Sequence, residues 1–174
     1  MAKHVAFLRG INLGARNKVG MAALRELVHG LGYDDAATHL QSGNLVFTAR
    51  KAAAQTEAEL SKAIEAGFGF PVAVTVRTVA QLRTVVEGNP FAEHTNEPAK
   101  LMVVFLTKKA AVKGLDPDDY APDEYAVKGR EIYLWLPNGS HKSKLGIAFW
   151  EKRTGAVGTL RNWSTVTKML ELAG

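Results

Sequence analysis

The 174-residue sequence contains no cysteine. This absence excludes disulfide bonds, thiolate metal sites and a cysteine nucleophile, and it is compatible with a reducing compartment. Long hydrophobic runs are also missing near the start of the sequence, where only the four apolar residues Val5 to Leu8 precede Arg9. Such a run is too short for the core of a signal peptide or for a membrane span. We therefore expect a cytoplasmic protein that makes no membrane contact.

Recognisable catalytic and metal-binding motifs are missing as well. The sequence has no His-Glu-x-x-His and no Gly-x-Ser-x-Gly, and its glycine-rich loop fits neither the Walker motif nor Gly-x-Gly-x-x-Gly. The histidines, none of which has a metal-ligand spacing, are His4, His29, His39, His94 and His141. We therefore expect no metal and no cofactor. The sequence does not indicate whether the protein is an enzyme.

Acidic residues are unevenly distributed. Lysine and arginine total 22 against 17 aspartate and glutamate, which gives a net charge of +5. Residues 1–20 contain Lys3, Arg9, Arg16 and Lys18 but no acid, and residues 141–153 are also rich in basic side chains. Such patches attract phosphates and other acidic ligands, although a solvated basic surface has the same composition.

The first half of the chain alternates strand and helix signals. A buried-strand pattern at residues 5–8 is followed by apolar side chains at helical spacing from Met21 to Leu31. Two strands around the turn at Ser42–Asn44, a helix begun by a capping-box pattern at Thr56–Glu59 and a strand after Pro71 complete the order β-α-β-β-α-β. This order is that of the ferredoxin-like fold, or alpha-beta plait.

The second half repeats the order of elements, but not the residues. Its predicted elements are a helix begun by a capping box at Thr78–Gln81, a strand at 101–106, a short helix at 108–115, an exposed loop at 116–123, a hairpin around Lys128–Gly129, a helix at 143–152, a strand at 156–160 and a terminal helix at 163–173. We therefore predict an α+β protein of two ferredoxin-like subdomains, with mainly antiparallel sheets and helices on one face. The predicted subdomains are residues 1–77 and residues 78–174.

Polar segments at the ends of predicted elements are the candidate binding residues. The loop from Arg9 to Asn17 contains glycines that permit positive φ and amide side chains suited to an anion. The Ser42–Asn44 turn and the segment from Arg161 to Thr165 have a similar polar character. Plain turn chemistry and capping of the last helix by Asn162 or Ser164 are the competing explanations.

These segments also carry a resemblance to a known family. The matching blocks are Leu8–Gly14 with Asn17 and Met21, Gln41–Asn44 with Phe47, and Thr159 with Arg161–Trp163 and Thr165. In these blocks the chain resembles the bacterial conserved family known as domain of unknown function 1697. The resemblance implies two alpha-beta plait subdomains and no particular activity. The chain departs from the family pattern at Ala15, where a second glycine is expected after Gly14.

Our hypothesis from the sequence is that the three segments converge on one cationic surface that binds a nucleotide, a phosphorylated metabolite or nucleic acid. The predicted ligand-binding residues are Arg9, Gly10, Asn12, Gly14, Asn17, Ser42, Gly43, Asn44, Arg161, Asn162 and Thr165. The two arginines would pair with phosphate or carboxylate, and Asn12, Asn44 and Asn162 would orient the ligand. The alternatives are a small-molecule enzyme of undetermined reaction and a purely structural or interaction protein. The sequence does not determine the oligomeric state.

Overall fold

The computed structural model describes every residue from Met1 to Gly174. The chain divides into two compact units, which contain residues 1–84 with 169–174 and residues 85–168. The sequence-based division after residue 77 lies a few residues before the first of these boundaries. Each unit is built on one four-stranded antiparallel sheet. The protein therefore has the α+β fold of two ferredoxin-like subdomains that its sequence predicts.

The first unit has the full β-α-β-β-α-β order. Its elements are β1 (Ala2–Leu8), α1 (Met21–Gly30), β2 (Asp34–His39), β3 (Asn44–Ala49), α2 (Ala53–Phe68), β4 (Val74–Thr78) and the start of α3 (Val79–Glu87). The strands lie in the order β2-β3-β1-β4. This order places β1 in the sheet interior, so the loop that follows β1 emerges beside the β2–β3 turn.

The core of the first unit lies between its sheet and the helices α1 and α2. Alternate residues of a strand point to the same face, and those on this face are apolar. The buried residues that share this core include Ala6, Leu8, Leu24, Val28, Leu45, Phe47, Leu60, Ile64, Val74 and Val76. Burial of this apolar set is the main force that closes the helices onto the sheet.

The second unit has the same sheet order with fewer helices. Its elements are the end of α3, β5 (Leu101–Leu106), β6 (Glu124–Lys128), β7 (Glu131–Trp135), α4 (Ile147–Thr154), β8 (Gly158–Asn162) and the start of α5 (Trp163–Ala173). The strands lie in the order β6-β7-β5-β8. Trp150 of α4 is buried against Val104, Leu106, Ile132 and Leu134 of the sheet. One helix therefore covers a sheet face that two helices cover in the first unit.

The two sheets repeat at the level of residues, which the sequence alone did not reveal. The matching cross-strand pairs are Phe7–Thr75 with Phe105–Thr159 and Val5–Arg77 with Val103–Arg161. Nη1 of each arginine donates a hydrogen bond to the carbonyl of the preceding residue, at 2.9 Å. The repeat is hidden in the sequence because the segments between the matching strands differ in length and in structure.

The predicted helix at 108–115 is wrong. This segment contains no helix and runs as irregular chain. The backbone N–H of Ala110 donates to the carbonyl of Gly129 in the β6–β7 turn, at 2.8 Å, instead of to a helical neighbour. Ala110, Val112 and Leu115 still pack against the core of the second unit. The apolar spacing at 108–115 therefore reflects packing against the core and not the formation of a helix.

Two predicted helix starts are also displaced. The helix α2 begins at Ala53, so the capping box at Thr56–Glu59 is wrong; Thr56 is buried inside the helix and donates to the carbonyl of Ala53 at 2.8 Å. The helix α4 begins only at Ile147. The capping box at Thr78–Gln81 is confirmed. The backbone N–H of Thr78 donates to Gln81 Oε1 at 2.9 Å, and the backbone N–H of Gln81 donates to Thr78 Oγ1 at 3.2 Å.

Candidate anion-binding site

The glycine-rich loop after β1 forms a small hairpin held by its own hydrogen bonds. The backbone N–H of Asn12 donates to the carbonyl of Asn17 at 2.9 Å, and Arg16 closes the turn on Leu13 at 3.1 Å. Four residues of this loop have φ between +51° and +68°, and they are Gly10, Asn12, Gly14 and Asn17. Glycine and asparagine adopt this left-handed conformation at the lowest steric cost. The loop composition therefore encodes a defined backbone shape.

The side chain of Asn12 ties this hairpin to its surroundings. Its oxygen accepts from the backbone N–H of Val19 at 2.9 Å, and its Nδ2 donates to the carbonyls of Val19 and Gln41, at 2.9 and 2.7 Å. The amide of Asn17 also donates to the backbone, at the carbonyl of Gly10. Both amides thus hold the loop in shape, and a role in orienting a ligand stays a prediction.

The turn between β2 and β3 packs tightly under this loop. The backbone N–H of Leu8 donates to the carbonyl of Gly43 at 2.8 Å. Gly43 has φ +85°, and a Cβ atom built there would lie only 2.7 Å from Ile11 Cδ1 and 2.8 Å from Leu8 Cβ. Asn44 is fully buried, and its Nδ2 donates to the carbonyl of His39 and to Ser42 Oγ. The structure therefore brings the first two predicted segments together.

Unpaired positive charge lies on the exposed side of the hairpin. Arg16 and Lys18 are solvent-exposed, and their side chains have no hydrogen-bond or ion-pair partner. The helix α1 begins directly after them, with Gly20 as an N-cap that gives no side-chain bond and with no acidic residue in the first turn. Helix N-termini carry partial positive charge from their free N–H groups. Arg16 and Lys18 are absent from the predicted site residues, although the acid-free stretch 1–20 contained the signal for them.

Arg9 begins the loop in a different setting. It is half-buried, and its backbone N–H donates to the carbonyl of Ala73 at 2.9 Å. This bond joins the start of the loop to the chain just before β4. Arg9 is thus less accessible than Arg16 and Lys18, which extend from the same loop into solvent.

The third predicted segment, Arg161–Thr165, belongs to the second unit. Asn162 accepts a hydrogen bond from the backbone N–H of Thr165 at 2.9 Å, so it caps α5 as the competing explanation proposed. Thr165 itself is buried. Burial lowers the pKa of Arg161 to about 10, and its guanidinium therefore stays charged at neutral pH. The contribution of this segment to ligand binding stays a prediction.

A family whose description is "Protein of unknown function (DUF1697)" matches residues 1–133 of the chain. The chain belongs to this family. The matched range includes the hairpin loop and the Ser42–Asn44 turn, and it ends within β7. The description of DUF1697 names no activity, so the family adds no chemistry to the site. Among curated proteins, no match to the chain is found.

A solved structure has the same fold as this DUF1697 chain. It is described as a conserved bacterial protein, SP0830, from Streptococcus pneumoniae. The two chains are 24% identical, the superposition covers 99% of each chain, and the TM-score is 0.74. At this identity the likeness shows a shared fold across both units and carries no statement about function.

No group of three or more histidine, cysteine, aspartate or glutamate side chains is arranged to hold a metal ion. No helix has both the length and the apolar character needed to cross a lipid bilayer.

Proposed function

We propose that this protein binds an anionic ligand, a nucleotide, phosphorylated metabolite or nucleic acid, at the surface formed by the Arg9–Asn17 loop with Lys18 and the Ser42–Asn44 turn. The observation that carries the proposal is the pair of unpaired, exposed cations, Arg16 and Lys18, on a loop fixed by backbone and amide hydrogen bonds. A loop that is already ordered loses little conformational entropy when a ligand binds.

The electrostatics of the loop favour an anion over a neutral or cationic ligand. No acidic residue occurs in the first twenty positions of the chain. The N-terminus of α1, which begins at Met21 shortly after Lys18, adds its partial positive charge. Guanidinium and ammonium groups at the loop surface are the donors that phosphate oxygens prefer.

The experiment is a binding titration of the wild type and of the double variant Arg16→Gln/Lys18→Gln with ATP, a sugar phosphate and a short single-stranded RNA. We expect the double variant to bind its best ligand roughly tenfold or more weakly, since each lost charge-assisted contact contributes about 1 kcal/mol or more. Amide chemical shifts of residues 10–20 should move in the wild type on addition of that ligand.

A matched control removes the same charge elsewhere. Lys62 and Arg83 are exposed on helices of the first unit, and Lys62→Gln/Arg83→Gln lowers the net charge by the same amount. If the control weakens binding as much as the loop variant does, the effect is one of net charge and the proposed site is wrong. Binding with unchanged affinity in the loop variant would contradict the proposal in the same way.

The interaction alternative is favoured by a separate observation on the same surface. Leu13 and Leu40 are 67% and 56% exposed, which is unusual for large apolar side chains. The Asn12–Gln41 hydrogen bond joins the segments that carry them. If this surface binds another protein, Leu13→Ser/Leu40→Ser should abolish self-association or partner capture in cross-linking. If the surface binds an anion, the same variant should retain its affinity for phosphate ligands.

A further inference from the structure

A groove of about 610 Å³ lies in the second unit, between the irregular segment at 107–115 and the helix α4. Its lining residues are Ala111, Lys113, Phe149, Lys152 and Arg153. The volume falls within the range of small-molecule sites in proteins. The groove shares no residue with the loop and turn of the first unit, so it is a separate candidate site.

The irregular segment places Lys113 on the groove side. Ala110, Val112 and Leu115 pack toward the core, and the backbone of Ala110 is fixed by its hydrogen bond to Gly129. Ala111 and Lys113 are instead exposed, and both line the groove. A helix at this position, as the sequence predicted, would have distributed these side chains around its axis.

The last turn of α4 supplies the opposite wall. The guanidinium of Arg153 lies over the ring of Phe149, 5.5 Å from the ring centroid, which is within the range of a cation–π interaction. The Phe149 ring is itself held by edge-on contacts with Tyr120 and Trp150, at centroid distances of 5.5 and 4.9 Å. This stack orders the guanidinium before any ligand binds.

The charge of the groove is of one sign. Its lining includes three basic residues and no acidic residue. The side chains of Lys113 and Lys152 have no hydrogen-bond or ion-pair partner, and both residues are exposed. Glu151, the nearest acid along α4, accepts from the backbone N–H of Gly158 at 3.2 Å. Attraction to the C-terminal carbonyls of α4 explains basic residues in the last helical turn but does not explain Lys113, which lies on a different segment.

We propose that this groove binds the di- or triphosphate group of a small ligand. Adjacent phosphates carry several negative charges within a few ångströms, which matches three cations gathered on two walls of one groove. Arg153 presents a planar fork of donors to phosphate oxygens, and the two lysines act as mobile point charges. Free polyphosphate and a nucleoside di- or triphosphate share this chemistry.

The test is isothermal titration of the intact protein with inorganic tripolyphosphate, ATP, AMP and a short single-stranded RNA, in the wild type and in Lys152→Gln/Arg153→Gln. We expect tripolyphosphate and ATP to bind more tightly than AMP, and the groove variant to lose roughly tenfold or more in affinity for both. Equal affinity for the two polyphosphates indicates recognition of the phosphates alone, whereas tighter ATP binding assigns a nucleoside contact to the same groove.

A matched control locates the effect. The variant Lys62→Gln/Arg83→Gln removes the same charge outside both candidate sites, and we expect it to keep the polyphosphate affinity within about twofold. Amide shifts at residues 111–113 and 149–153 should accompany binding. Unchanged polyphosphate affinity in the groove variant, shifts confined to residues 10–20, or binding of RNA without tripolyphosphate or ATP would each overturn the groove proposal. Shifts confined to residues 10–20 would leave the loop site of the first unit supported.

Discussion

Gly43 is the position where a single added methyl group has the largest expected effect on the candidate loop surface. Its φ of +85° disfavours any residue with a Cβ atom, at a cost of about 1–2 kcal/mol. The added Cβ would also lie 2.7 Å from Ile11 Cδ1 and 2.8 Å from Leu8 Cβ. The Ile11 atom is the end of a side chain that can rotate, whereas Leu8 Cβ is fixed to a buried strand of the sheet.

The Leu8 contact therefore decides the magnitude. Overpacking in a well-filled core costs about 1–3 kcal/mol. Together with the backbone term, Gly43→Ala should reduce the free energy of unfolding by roughly 2–5 kcal/mol. That is a large fraction of the total of about 5–15 kcal/mol that is usual for a domain.

Gly14 provides a matched control. It has a positive φ of +58° in the same surface loop, but a Cβ atom built there has no heavy atom within 4 Å. Gly14→Ala should therefore pay only the backbone cost of about 1–2 kcal/mol. Urea unfolding followed by circular dichroism gives both values, with the slope compared between variants to confirm one transition. A Gly43→Ala variant as stable as Gly14→Ala would refute the close approach between Gly43 and Leu8.

Three further substitutions test single contacts. Asn12→Ala removes the three hydrogen bonds that the Asn12 side chain makes, so we expect a loss of about 1–3 kcal/mol in urea unfolding and faster amide exchange in the loop. Burial lowers the pKa of His4, so as the pH falls the unfolded chain binds a proton at this residue before the folded protein does. The free energy of unfolding should therefore fall as the pH drops below about 6.5, by at most about 1.4 kcal/mol per pH unit. His4→Phe should remove this dependence when unfolding is measured between pH 5 and 7. Tyr133→Phe leaves the buried carbonyl of Val85 without its 2.6 Å donor and should cost about 1–2 kcal/mol, whereas Tyr125→Phe, whose hydroxyl makes no such bond, should change stability by much less.

Much of the fold could be predicted from local patterns in the chain. The strand before the glycine-rich loop, the capping box at Thr78–Gln81, the hairpin around Lys128–Gly129 and the terminal helix from Trp163 all occur where the sequence predicts them. In each case the signal lies within a few residues of the structure that it specifies. Side-chain periodicity, a cap or a turn glycine is sufficient there.

The largest error occurs where a distant residue competes for the backbone. At 108–115 the apolar spacing suits a helix, but the N–H of Ala110 is bonded to Gly129, which is far away in sequence. That choice depends on which partner the fold brings close, and a local pattern does not contain that information. The displaced start of α2 is a local error, since Gln55 accepts from the backbone N–H of Ala52 and this pair lies just before the predicted cap.

The sequence by itself determined that this chain forms two alpha-beta plaits with polar segments at the ends of their elements, because composition and periodicity act locally. Only the tertiary structure decided how those polar residues are used. It directed the amide of Asn12 to Val19 and Gln41, left Arg16 and Lys18 unpaired, and set Lys113 across a groove from Arg153. The physical reason is that a hydrogen bond or an electrostatic field depends on distance in space, and the fold fixes that distance only after the strands have paired.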